Sequence, residues 1–244
     1  MAPVSSTPPT PAALWPLFGL RLHTPRLTLR YVDDDLGAAL MGVVAADGVH
    51  DPAEMPFSVP WTRTPSPELE REGLQRYWRG RARTSPAAWT LAFGVFEGDR
   101  LVGEQNLRAT GFPGLRTVSS ASWVARSEQG RGIGQEMRAA VLHLAFEGLG
   151  AQRATSGAFE DNPASLAVSR ALGYVDNGWD LTARDGQSVR DLRMLLDRAT
   201  WERTGRVHVR IEGLAPCLPL LGLDDLDDLE DPDDPDDPQP TARR

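Results

Sequence analysis

The segment Ser127-Glu128-Gln129-Gly130-Arg131-Gly132-Ile133-Gly134 sets three glycines at alternate positions ahead of an apolar pattern with helical spacing. Glycine lets a backbone turn tightly and approach a ligand closely. The first amides of a helix have no internal partner, and the aligned peptide dipoles add partial positive charge there. A loop of this kind suits a pyrophosphate. Arg131 offers a further phosphate contact, or else a charge that points to solvent. Two other phosphate loops are disfavoured. A dinucleotide fingerprint needs Gly-x-Gly-x-x-Gly after the first strand of a βαβ unit, and here the third glycine comes one residue early. A Walker loop needs Gly-Lys-Ser/Thr, and all 26 basic residues of this chain are arginine.

A second constellation follows at Asp161-Asn162-Pro163-Ala164-Ser165-Leu166-Ala167-Val168-Ser169-Arg170-Ala171-Leu172-Gly173-Tyr174. Asn162 is placed as an N-cap, with Pro163 in the favoured first helical position. Ser165 lies one turn further on.

The two segments, in this order and spacing, resemble the GNAT (GCN5-related) N-acyltransferase superfamily. Gln129, Gly132 and Gly134 match its Gln/Arg-x-x-Gly-x-Gly/Ala motif. Residues 162–174 resemble the Asn-x-x-Ser-x-x-Val-x-x-x-Leu-Gly-Phe pattern of its ribosomal-protein N-acetyltransferase-like branch. The resemblance implies that the amides of 129–134 bind the pyrophosphate of an acyl-CoA. It also implies that the preceding strand is bulged and that its main chain, at Trp123, Val124 and Ala125, pairs with pantetheine. Asn162 and Ser165 fall beside the cofactor, where the serine can protonate the leaving thiolate. Many members carry a tyrosine acid where this chain has Ser169, so that version of the mechanism is not expected. The block 132–142 and the loop 55–61 resemble an actinobacterial subgroup with a mycobacterial member assigned to succinyl-CoA. Acetyl-CoA and succinyl-CoA are therefore both donor candidates. Dimers are common in the family, which makes a homodimer compatible.

Transfer to an amine requires the nucleophile to meet the thioester, an oxyanion to be held and a proton to be accepted. A backbone amide near Val124 is the expected oxyanion donor. Glu104 is the expected base, with Gln105 or Asn106 orienting water, unless it belongs to a solvated strand face. His50 and Asp51 are weaker alternatives. The acceptor, a protein or small-molecule amine, is expected between the loop 45–67 and the helix after it, where Phe57 and Trp61 either line the site or form an apolar clamp. Four scattered histidines and one cysteine give no metal-ligand spacing. A non-catalytic acyl-CoA-binding module is the alternative function.

These residues need a scaffold. Apolar and polar residues alternate over 26–32, as in a half-buried strand. Asp33, Asp34 or Asp35 caps a helix running to about residue 44, and a second helix fits 67–83. Strands fit 89–96, 101–109 and 117–125, with Gly98-Asp99 at a hairpin. Ile133, Met137, Val141 and Leu144 place a helix over 132–149. A strand over 153–158, a helix over 163–172 and strands over 174–182 and 188–196 complete the order. The fold class is α/β in the α+β sense: a mixed, mostly antiparallel central sheet flanked by helices.

The formal net charge of −8 belongs to one end of the chain. Ten acidic residues and two arginines lie in 224–244, leaving 24 of each sign elsewhere. The body thus has no basic field for nucleic acid. No apolar run reaches the roughly 18 residues that span a membrane. With no recognisable signal peptide and a single cysteine, a cytoplasmic protein is expected. The chain divides into a flexible Pro-rich segment (1–16), an acyltransferase domain with a C-terminal extension (17–213) and a disordered acidic tail (214–244).

Overall fold

The computed structural model describes residues 10–204 and 207–223. Its elements, in chain order, begin with α1 (Pro11–Leu14), β1 (Arg21–His23), β2 (Leu27–Tyr31), α2 (Asp34–Asp47), α3 (Glu68–Ala82), β3 (Ala88–Glu97) and β4 (Arg100–Thr110). Then come α4 (Phe112–Leu115), β5 (Thr117–Val124), α5 (Ile133–His143), β6 (Arg153–Phe159), α6 (Pro163–Ala171), β7 (Val175–Arg184), β8 (Gln187–Asp197), α7 (Arg198–Arg203) and β9 (Arg210–Glu212).

Local chemistry accounts for the helix starts. Asp33 Oδ1 accepts the Leu36 amide at 2.8 Å, and Asp34 and Asp35 fill the first turn of α2. Asn162 caps α6 in the same way, with Pro163 behind it. After α5 the helical path continues as a π-helical turn, Leu144–Gly148.

The nine strands form one sheet in the order β7-β8-β6-β5-β4-β3-β2-β1-β9. Neighbours are antiparallel except β5 and β6, which run parallel. Leu29, Leu91, Phe93, Val141 and Phe146 belong to the core between one face and α5. Leu36, Leu40, Met41 and Tyr77 form a second core that seats α2 and α3 on the other face. The expected mixed, mostly antiparallel sheet with flanking helices is the fold observed.

Features at the ends of the sheet and of the chain depart from the sequence reading. β1 and β9 are three-residue strands, too short to show a period, and they pair with each other at the sheet edge. Residues 214–223, expected within the tail, instead pack into the body. Ala215–Leu221 is a 3-10 turn with Cys217, Leu218 and Leu221 buried, and Trp89 Nε1 donates to the Leu221 carbonyl at 3.2 Å. Apolar burial outweighs the nearby acidity, so the folded boundary lies beyond residue 213. The expectations of flexibility at 1–9 and disorder at 224–244 fall outside the described residues, whereas α1 occupies part of 10–16.

Candidate functional site

β5 and β6 pair only from Thr117↔Arg153 to Ser119↔Thr155. Beyond that point β5 follows β4 to Val124, while β6 follows β8 to Phe159. The two strands therefore part into a cleft with its vertex at Ser119 and Thr155. The Ala125 amide donates to the Val102 carbonyl at 2.9 Å, continuing the register that sets Trp123 opposite Glu104. Antiparallel pairing alternates along a strand. The main chain of Trp123 and Ala125 is thus turned to β4, and that of Ser120, Ser122 and Val124 is turned into the cleft. On the other arm, the Glu160 amide bonds the Arg190 carbonyl at 3.0 Å, which leaves the main chain of Gly157 and Phe159 facing the cleft. Of the three predicted main-chain contacts, Val124 meets the cleft and Trp123 and Ala125 do not. The implied bulge is also absent: β4 and β5 stay in register, and the shift lies between Val95 and Phe96 in β3. Strand separation, rather than a bulge, frees the amides.

The glycine loop stands at the end of the β5 arm. Gly130 and Gly132 have φ of 75° and 78°, where side chains are strained. Gly132 is the N-cap of α5, and no side chain caps this helix. Gln129 Nε2 donates to the carbonyls of Val49 at 2.8 Å and Val124 at 3.0 Å, pinning the loop to the strand end. A Cβ at Gly134 would lie 3.8 Å from Val124 and 3.9 Å from Val168, so loop, strand and α6 converge there. Ile133 is buried beneath the loop. Arg131 is exposed, in keeping with the solvent-facing alternative. Its guanidinium bonds Glu97 at 2.7 Å and also Glu128, and these carboxylates raise its pKa. Its charge is thus engaged by two carboxylates.

On the other arm, Asn162 Oδ1 accepts the Ser165 amide at 3.1 Å. That oxygen serves as a helix cap, not as a free ligand for a cofactor. Ser165 is half-buried, and its carbonyl accepts the Ser169 hydroxyl at 3.2 Å. Beneath the cleft lies Arg138, an α5 residue that is only 5% exposed. Its Nη1 donates to Ser169 Oγ at 2.8 Å and its Nη2 to Ser122 Oγ at 3.4 Å, while its Nε has no partner. Ser169 Oγ reaches on to Ser156 Oγ of β6 at 3.4 Å. Among the described residues no carboxylate pairs with this guanidinium, and burial lowers its pKa.

The opposite sheet face carries Glu104, Asn106, Trp123, Gly157 and Asp191, as register requires. Glu104 is fully buried. It accepts hydrogen bonds from Arg76 Nη1 and Nη2 at 2.9 and 2.8 Å, Tyr77 Oη at 2.5 Å, Asn106 Nδ2 at 2.8 Å and Trp123 Nε1 at 3.2 Å. Burial works to raise its pKa, but the Arg76 charge and these donors outweigh it and hold the carboxyl below its usual range. The expected base is therefore a closed structural hub, neither reachable by an amine nor a solvated strand face. Gln105, on the other sheet face, donates to the carbonyls of Asn106 and Ala121.

Asp191 stands differently. It lies beside Gly157 on the cleft arm, where a glycine Cβ would be 3.4 Å from Asp191 Oδ1. It is half-buried, and burial followed by the neighbouring Asp180 charge raises its pKa. The loop 45–67 and the β7–β8 hairpin close one side of this face through Arg63–Asp185 at 2.7 Å and Arg184 to the Met55 carbonyl at 3.1 Å. His50 is held in the loop by Thr62 at 2.8 Å and the Asp51 carbonyl at 2.7 Å. Phe57 and Trp61 are half-buried against the second core, with ring centroids 5.3 Å apart.

Residues 26–175 match the family described as "Acetyltransferase (GNAT) domain". The chain belongs to the GNAT acetyltransferase family. Solved structures share the fold. RimL, the ribosomal L7/L12 alpha-N-protein acetyltransferase in complex with coenzyme A, aligns with a TM-score of 0.60 and 19% identity over 71% of this chain and 95% of that one. Mycobacterium smegmatis RimJ in complex with CoA-disulfide aligns at 0.60 and 21% identity over 76% and 88%. Mutant forms of the spermidine/spermine N-acetyltransferase SpeG from Vibrio cholerae align at 0.55 and 14% identity over 72% and 96%.

In this GNAT domain, two buried or half-buried charged residues at the cleft, Arg138 and Asp191, were not singled out from the sequence. Arg138 had a signal: it is a charge inside a run that is buried from Met137 to Leu142. Asp191 had none, because an acid in an alternating strand reads as a solvated position. Among the described residues, no group of three His, Cys, Asp or Glu is placed to hold a metal ion, and no helix is long and apolar enough to cross a membrane.

Proposed function

We propose that this GNAT domain moves an acetyl or succinyl group from CoA to a primary amine by direct attack in a ternary complex. The β5–β6 cleft carries the reading, because it offers unpaired main-chain groups on both arms and ends at an uncapped helix N-terminus. The pyrophosphate sits on the amides of 130–134. Pantetheine runs between Ser122 and Val124 on one arm and Gly157 on the other. The amine nitrogen attacks the thioester carbonyl, the Val124 amide holds the oxyanion, and the C–S bond breaks as the C–N bond stays. Ser165 supplies a proton to the departing thiolate. Asp191 replaces Glu104 as acceptor of the amine proton, directly or through water.

Arg138 favours a donor that ends in a carboxylate. A buried cation without an anion is unfavourable, and a succinyl carboxylate would compensate it. The likeness to RimL supports a protein N-terminus as acceptor class.

Melting temperatures with acetyl-CoA, succinyl-CoA, CoA, ATP and NAD test the reading. At 100-fold excess over the dissociation constant, a ligand adds about 2.7 kcal/mol, or roughly 5–10 °C for a chain of this size. A rise with CoA species alone, followed by thiol release with an amine panel, is expected. A rise only with ATP or NAD would remove the proposal.

A further inference from the structure

A groove of about 380 Å³ runs between α3 and the ends of β3 and β4, on the same sheet face as Glu104. Arg76, Arg79, Arg83 and Arg108 line it together with Asn106 and Thr90, and no carboxylate does. Arg76 is spent on Glu104. Arg79, Arg83 and Arg108 are exposed and make no side-chain hydrogen bond or ion pair among the described residues. Three uncompensated cations around one concavity form a site for a polyanion, and their spread along α3 and β4 suits an extended chain more than a single phosphate.

The described chain ends at the same end of the sheet as this groove, on the opposite face. The Trp89 indole, packed on the α5 side, holds the Leu221 carbonyl, and Gly222 lies against Pro86 and Pro113 at the ends of β3 and β4. Ala88 and Thr110, at those same ends, form the mouth of the groove. The sequence leaving Leu223 is Asp224-Asp225-Leu226-Asp227-Asp228-Leu229-Glu230-Asp231, with further Asp-Asp-Pro repeats after it. An extended chain covers about 3.3–3.6 Å per residue, so the fourteen residues 224–237 are long enough to round the sheet end.

We propose that the arginine groove is the docking site of this chain's own acidic segment, residues 224–237. Charge selects it and position permits it: the strongest negative run in the sequence leaves the body at the end of the sheet where the groove is lined by Ala88 and Thr110. The attraction is between exposed charges and is screened by salt, with a Debye length of about 8 Å at physiological ionic strength. The proposal is independent of acyl transfer.

The absence of lysine supplies the test. In the full chain, Arg79→Lys, Arg83→Lys and Arg108→Lys each introduce one side-chain amine, and Arg203→Lys on α7 does so away from the groove. Carbodiimide coupling joins an amine to a carboxylate at zero length, and peptide mass mapping reads the partner. Several-fold more coupling from 224–237 to the groove positions than to position 203, lost in high salt, is expected. Equal coupling at all four positions, or none at the groove, would overturn the proposal. Coupling only between isotopically distinct copies would assign the groove to a second chain and overturn docking in cis.

Discussion

Arg138 Nη1 on α5 lies 2.8 Å from Ser169 Oγ on α6, so the helices that follow the two arms of the cleft are joined beneath it by a buried cation. Burying a charge without a counter-charge is unfavourable, so an apolar side chain of similar volume removes that cost. Arg138→Met is therefore expected to leave the melting temperature of the unliganded protein unchanged or higher. The same substitution is expected to remove the additional rise given by succinyl-CoA over acetyl-CoA. Calorimetric melting with each donor checks both halves.

Asp191→Asn is expected to lower kcat by about 10²–10⁴ and to leave the acetyl-CoA melting shift intact. Burial and Asp180 raise the Asp191 pKa. A base works once deprotonated, so the wild-type rate climbs as pH rises through this raised value. The variant should lack that limb of the pH–rate profile. A rate and profile like wild type would place the proton acceptor elsewhere.

Glu104→Gln leaves Arg76 without its carboxylate and should cost about 3 kcal/mol, the low end for a broken buried pair, because Arg76 is 44% exposed. Glu104 has a depressed pKa when folded. Its contribution is thus present above the unfolded carboxylate value of about 4.3 and lost as pH falls through the folded value. Urea unfolding at neutral pH and near pH 3 should show the gap between wild type and variant closing in acid.

The glycines of the loop are separable. Gly132 has φ of 78°, and a left-handed alanine costs about 1–2 kcal/mol, so Gly132→Ala should lower stability. A Cβ at position 134 makes ordinary contacts at 3.8 and 3.9 Å, and alanine gains about 0.5–1 kcal/mol over glycine inside a helix. Gly134→Ala should raise the melting temperature and retain the CoA-induced shift.

Leu218 is 3% exposed in the turn that sequence reading assigned to the tail. Leu218→Ala should cost about 2–5 kcal/mol in urea unfolding. A loss within the range of a surface substitution would restore the earlier boundary.

Local rules made much of this protein legible without coordinates. Capping at Asp33 and Asn162, strand alternation over β2 and helical spacing along α5 depend on residues a few positions apart, and each formed as read. The order of elements and the two motifs pointed to the family for the same reason. What lay beyond the sequence depends on partners distant in the chain. β1 and β9 are too short to carry a period, and their pairing joins segments nearly 190 residues apart, as His23 and Glu212 do at 3.0 Å. Glu104 became a closed hub only because α3 brings Arg76 and Tyr77 over it. The cleft exists because β5 and β6 are each held by a different neighbour after three shared pairs, and spacing within either strand cannot express that divergence.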